Sequence, residues 1–211
     1  EGIAQAFLAA GITLRLGETA RRVSRADDGT VSLALDSGAI LTASELLVAV
    51  GRTPETSEIG LEQAGVRLTD RGFIAVDEYL RTSAERVWAA GEAAGTPQFT
   101  HASYDDYRVL ATNLAAQAGQ GELRSTQGRL IPYCVFTTPE LARVGLTEAE
   151  ARAAGYDVRI ARMPVAAIPR ARTIGHLEGT WTAVIDRDSR QILGAALRGP
   201  EASEAIAVVQ M

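Results

Sequence analysis

The chain contains no lysine; its 21 basic residues are all arginine. Either the arginines are a set of anion and carboxylate clamps, or the source genome favours arginine and alanine codons. There is one cysteine, Cys134. A single thiol excludes an intrachain disulfide and a cysteine-based zinc cluster. Its setting, "PYCVFTT", is β-like and apolar, which suits a buried small hydrophobe better than a nucleophile. Only two histidines are present, His101 and His176, too few for a His-rich metal site, so no metal is expected. Aromatics make up 5% of the chain, so the core must be built from Ala, Val, Leu and Ile. No apolar run reaches membrane-spanning length and no signal peptide opens the chain, so a cytoplasmic protein without a membrane partner is expected. The formal net charge is −5 and the pI about 5.2, which argues against a nucleic-acid partner. No P-loop, Gly-x-Ser-x-Gly elbow or Cys-x-x-Cys occurs, and no residue of this chain is expected to be catalytic.

What is there has ordinary globular composition, 46% hydrophobic and 22% charged over 211 residues. The first residue is Glu, "EGIAQAFLAAG" reads as a helix in progress, and "EASEAIAVVQM" is a helical pattern without a stop signal. The expectation is a piece of a longer chain. "ITLRL" alternates like a strand. "ARRVSR", "DDG", "VSLAL" and "DSG" spell strand, turn, strand, turn. "LLVAV" at 46–50 lacks alternation and predicts a strand buried on both faces. "GFIAVD" and "RVWAAG" predict two further strands. Helical spacing of Tyr107, Leu110, Ala111, Leu114 and Ala115 predicts a helix over 101–118, stopped by the glycines at 119–121. The polar, glycine-rich stretch 119–130 is the best domain boundary. Beyond it, "PYCVFTT", "LARVG", "YDVRIARMP", "GTWTAVID" and "RQILGAAL" read as strands. "TEAEARAAG" reads as a helix with a Thr147–Glu150 capping box, and a last helix starts near Pro200. Antiparallel strands with helices make an α+β domain.

One corner has the makings of a ligand site. The apolar run "VWAAG" ends in Gly91, where a ligand can approach backbone without meeting a Cβ. Glu92 follows, at the carboxyl end of the expected strand, and can accept hydrogen bonds from sugar-like hydroxyls. A loop then leads through Phe99 to a helix whose first turn, at Thr100 and His101, offers free N–H groups and the positive end of a dipole.

Three motifs in series, "LLVAVGRTPET", "GFIAVDEYLRTSAERVWAAGEAAG" and "PYCVFTTPELARVGLTEAEARAAG", resemble the pyridine nucleotide–disulfide oxidoreductases. That FAD-dependent family includes glutathione reductase, dihydrolipoamide dehydrogenase and mercuric reductase. "QFTHASYDDYRVL" and "PVAAIPRARTIG" further resemble the branch of reactive-chlorine-resistance flavoproteins that reduce hypothiocyanous acid. The resemblance covers essentially the whole chain. It implies an α/β plus α+β architecture: partial Rossmann-like FAD- and NAD(P)-binding domains followed by a dimerisation domain with an antiparallel sheet. Residues 1–50 would be the end of the NAD(P)-binding domain, 51–120 the second segment of the FAD domain, and 129–211 a truncated dimerisation domain that forms a homodimer. Gly51 would lie near the nicotinamide cofactor. Glu92 would hold the ribityl hydroxyls of FAD, and the helix beginning near Thr100 would point its N-terminus at the flavin ring. The family usually has Asp where this chain has Glu92, so the longer side chain must fold back or shift the ribityl chain. The resemblance further implies electron flow from NAD(P)H through FAD to a cysteine pair, and then to a disulfide or small-molecule oxidant. The cysteine pair and both Gly-rich dinucleotide fingerprints are missing here, so the chain alone is expected to be inactive. The alternatives are a parent of mercuric-reductase or dihydrolipoamide-dehydrogenase type, and a non-catalytic α+β dimerisation module in which Glu92 is a surface acid.

Overall fold

A computed structural model describes residues 2–211; the start of the first expected helix, Glu1, lies outside the described residues. The chain divides into two compact units, Glu1–Arg52 and Thr53–Met211.

In the first unit, helix α1 (Gly2–Ala9) ends where Gly11 takes a left-handed φ of 82°. An antiparallel meander follows, β1 (Ala20–Arg25), β2 (Val31–Leu35) and β3 (Ile40–Ala43), in the order β1-β2-β3. Its turns are the two read from sequence. The first closes through Gly29 N–H to the Ala26 carbonyl and the second through Gly38 N–H to the Leu35 carbonyl. Val31 and Leu35 are the buried positions of β2. Two expected strands are absent: "ITLRL" and residues 46–50 are irregular. Leu47 is 88% and Val50 90% exposed, and no described strand lies beside them. A run of Leu and Val favours extended backbone, but a strand exists only where a neighbour accepts its ladder hydrogen bonds.

The second unit begins with a long irregular segment, 53–99. "GFIAVD" and "RVWAAG" form no ladder; each contributes one isolated bridge, Leu68 with Ile74 and Arg81 with Trp88. Their backbone groups are satisfied partly within these bridges and partly outside them. Ile74 N–H donates to the Ala93 carbonyl, and Ala89 N–H to the Leu80 carbonyl. Side chains supply much of the rest. Asp77 accepts from the N–H groups of Tyr79 and Arg81 at 2.9 Å each, and Thr56 Oγ1 donates to the Gly72 carbonyl at 2.7 Å.

Helix α2 (Thr100–Gln117) follows, with Ala102, Asp106, Val109 and Asn113 buried. Their spacing of four, three and four keeps them on one face. It stops at Gly119, φ 82°, as expected.

The remainder is a five-stranded antiparallel sheet in the order β4-β5-β8-β7-β6. Its elements in chain order are β4 (Tyr133–Val135), β5 (Glu140–Gly145), α3 (Glu148–Ala153), β6 (Val158–Pro164), α4 (Pro169–Ile174), β7 (Thr180–Asp186), β8 (Ile192–Gly199) and α5 (Ala202–Gln210). Helix α3 has the complete capping box: Glu150 N–H donates to Thr147 Oγ1, and Thr147 N–H donates to the Glu150 carboxylate. Helix α4 was not expected; Pro169 at its start and Gly175 at its end, φ 76°, delimit it. Helix α5 closes one core cluster, Ala142, Val144, Ala195, Leu197, Ala202 and Ile206. A second cluster joins Ala151 of α3 to Val158 and Val184. Gly145 and Gly194 face each other across β5 and β8, where a Cβ on Gly145 would overlap the backbone of Leu193 and Gly194, and one on Gly194 the backbone of Leu146 just past β5.

Candidate functional site

The corner between residues 87 and 101 differs from the strand–glycine–acid–loop–helix reading. Gly91–Ala94 is a turn of 3₁₀ helix, closed by Gly95 at φ 79°. Glu92 therefore sits inside that turn, half-buried, rather than at the end of a strand. Gly91 is buried and has φ 70°; a Cβ there would meet Ser103 Oγ of α2 at 3.1 Å. The close approach of this turn to α2 thus requires glycine.

What holds the turn was missed by sequence reasoning. Asp106, on the buried face of α2, is 0% exposed. Its Oδ2 accepts from Gly91 N–H at 2.7 Å and from Thr96 Oγ1 at 2.6 Å, so it grips the turn just before Glu92 and just after Gly95. Its Oδ1 lies 2.5 Å from Arg129 Nη1. Arg129 also reaches Asp105 at 3.3 Å, and Arg124 pairs with Asp105 at 2.9 Å. The available signal was the "DD" at 105–106: one of two adjacent carboxylates had to fall on the helix face that carries Ala102 and Val109. A buried carboxylate needs a cation and further donors, and Arg129 stands in the polar stretch 119–130.

The start of α2 is shaped by a stack. Phe99, in extended conformation, precedes the helix without a side-chain cap. Its ring stacks on His101 at 5.5 Å between centroids and on Tyr133 at 5.4 Å. His101 Nε2 lies 2.7 Å from the Pro132 carbonyl. A carbonyl only accepts, so Nε2 carries the proton. The imidazole is committed to the run into β4, and what His101 offers a ligand is its backbone N–H. The first helix-closing bonds run from the Ala102 and Ser103 N–H groups to the Phe99 carbonyl. The N–H groups of Thr100 and His101 precede them and point out of the helix end.

The structure thus brings Gly91, Glu92, Phe99, Thr100 and His101 to one corner of the second unit. Gly51, φ 110°, belongs to the first unit. Cys134, on β4, is partly buried against the α5 cluster. Burial pushes its thiol pKa up, and the Glu140 carboxylate pushes the same way, the reverse of what an activated thiolate needs. The second histidine, His176, lines a separate cavity of about 490 Å³ with Phe136, Pro139, Leu177 and Glu201.

The family model for "Pyridine nucleotide-disulphide oxidoreductase" matches residues 1–106, and that for the "Pyridine nucleotide-disulphide oxidoreductase, dimerisation domain" matches 131–211. The chain belongs to the pyridine nucleotide–disulfide oxidoreductase family. Among curated relatives of this family, the probable pyridine nucleotide-disulfide oxidoreductase RclA of Escherichia coli is 41% identical over 171 residues, 81% of this chain and 38% of that protein. Dihydrolipoyl dehydrogenase 2 of Haloarcula marismortui is 40% identical over 93% of this chain and 41% of that protein. The structure of the HOCl-induced flavoprotein disulfide reductase RclA from Escherichia coli superposes with a TM-score of 0.89 at 37% identity, covering all of this chain and 47% of that one. The chain therefore spans about two-fifths of the length of these curated oxidoreductase relatives.

Proposed function

We propose that the chain is part of a flavin-dependent oxidoreductase that takes electrons from NAD(P)H through FAD and a cysteine pair to a disulfide or small oxidant. In this reading residues 1–50 close the NAD(P)-binding domain, 51–120 form the second segment of the FAD domain, and 129–211 pair two subunits. Membership of the family, with relatives that include a flavoprotein disulfide reductase, supports the cofactor assignment. The observation that carries it is the corner itself: a glycine with φ 70° next to Glu92, set against the first turn of α2 by a buried carboxylate.

The residues present fit a flavin dinucleotide. Glu92 supplies acceptors suited to the ribityl hydroxyls. The Thr100 and His101 N–H groups, with the positive end of an 18-residue helix behind them, suit an electron-rich ring edge. Phe99 and Tyr133 stack beside that helix end, whose Thr100 and His101 are exposed. When bound, FAD would supply the two-electron chemistry. With one cysteine in the chain, a dithiol has to come from outside these 211 residues, so the isolated polypeptide turns over nothing.

The test is the full-length protein from the complete reading frame, purified and examined by visible absorption. Flavin bands with NAD(P)H-dependent disulfide reduction are expected, and Glu92→Gln should weaken FAD binding by roughly 10-fold, the loss of one charge-assisted hydrogen bond. A colourless, inactive full-length protein would sink the assignment. Steady NADPH-dependent turnover by the 211-residue piece alone would refute its incompleteness.

A further inference from the structure

The Asp106 clamp ties two parts of the chain that sequence reading keeps separate. On one side are Gly91 N–H and Thr96 Oγ1, which bracket the turn that carries Glu92. On the other is Arg129, 23 residues downstream and four residues before β4. Asp106 is 0% exposed, and the Arg129 side chain is 18% exposed. A carboxylate so buried can grip the Gly91 amide only while a cation compensates its charge. Arg129 is the one cation paired with Asp106 among the described residues. The same short run, 129–133, also supplies the Pro132 carbonyl to His101 and the Tyr133 ring to Phe99. The approach to the dimerisation domain therefore contacts both halves of the corner, the turn through Asp106 and the helix end through His101.

We propose that Asp106 and Arg129 are positioning residues for the cofactor corner, and that cofactor affinity is set from the dimerisation-domain side through this ion pair. The proposal rests on the flavin reading above and goes beyond it, because neither residue needs to touch the cofactor. Arg129 compensates the Asp106 charge; Asp106 fixes the orientation of the Gly91 peptide; that peptide sets where the Glu92 backbone begins. Asp105 serves as a control: it pairs with Arg129 and Arg124 yet makes no bond to the turn.

The experiment uses the full-length holoprotein, with FAD affinity of the apo form read by flavin fluorescence and local order read by hydrogen exchange. Arg129→Met is expected to weaken FAD binding by about 10- to 100-fold, the scale set by an uncompensated buried charge. Arg129→Lys, which keeps the charge, is expected to stay within about three-fold of the parent, and so is Asp105→Asn. Exchange in Arg129→Met should rise in peptides spanning 88–98 and stay unchanged in the β7–β8 hairpin, which a general loss of stability would not leave alone. If the Met variant does not fold, Arg129→Gln gives the same reading with a milder drop. Unchanged FAD affinity in a folded Arg129→Met or Arg129→Gln variant overturns the proposal, as does exchange that rises equally throughout. A wild-type protein that binds no FAD overturns it together with the flavin reading; a yellow wild type with unaffected variants overturns it alone.

Discussion

The segment 53–99 and the sheet domain that begins at β4 are held together in different ways. In the sheet domain nearly every strand pairs in continuous register, from three pairs between β4 and β5 to seven between β6 and β7. Its apolar positions close on helices that follow in the same stretch of chain. In 53–99 the extended runs find only isolated bridges and scattered backbone hydrogen bonds, and polar side chains add the remaining ties: Asp77, Thr56 and Ser83 locally, and from α2 Asp106 to Gly91 and Thr96 and Asn113 to the Tyr79 carbonyl. A region stabilised by backbone ladders tolerates polar substitution at its surface. A region stabilised by buried polar side chains depends on a few residues, each satisfying several partners.

That contrast can be broken most directly at Asp106. Asp106→Ala leaves Gly91 N–H and Thr96 without their acceptor and Arg129 with Asp105 alone, and a loss of about 3–5 kcal/mol of unfolding free energy is expected by denaturant titration. If the change cost no more than a surface substitution, the polar-clamp description of 53–99 would be wrong. On the sheet side, Ile206→Ala in α5 should cost about 2–4 kcal/mol through transfer and cavity terms. The loss should be confined to the β4–α5 domain in hydrogen exchange, whereas Asp106→Ala should expose 88–98. Thr147→Ala removes the capping box and should cost about 1 kcal/mol, with added exchange only in α3.

The smallest effect is a pH dependence at Asp77. Burial raises its pKa, but the N–H groups of Arg81 and Tyr79 and the Arg81 guanidinium outweigh this and hold it below the ordinary 3.8. A depressed carboxylate contributes stability that is present above the unfolded value and lost as pH falls through the folded one. Asp77→Asn should therefore lower stability at neutral pH by a small amount, the carboxylate being well exposed, and flatten the acid limb below about pH 4. An acid limb unchanged by the substitution would show that Asp77 contributes nothing to ordering its loop.

Legibility followed the same division. The meander, both of its turns, α2, the capping box and all five strands of the sheet domain could be read from sequence, because period, turn residues and caps act over a few neighbours. Strands were expected from the same kind of reading at 12–16, 46–50, 72–77 and 86–91, and none forms there. A run such as "LLVAV" states that it will be extended if a neighbour pairs with it; whether one does is not local information. Helix α4 was missed because six residues with two arginines carry too little periodicity to stand out from a loop.

At the candidate site, the sequence by itself determined the ingredients: Gly91 next to Glu92, a helix beginning at Thr100, and a single cysteine ill-suited to chemistry. Glycine's left-handed φ, a carboxylate's acceptors and a helix end's free N–H groups are properties of residue type and local order. Only the tertiary structure decided that Glu92 lies in a 3₁₀ turn, that the His101 ring is spent on Pro132, and that Asp106 and Arg129 hold the corner in place. Those facts depend on which distant donors meet a buried carboxylate. The cost of burying charge makes such a meeting obligatory once α2 packs, but the packing chooses the partner.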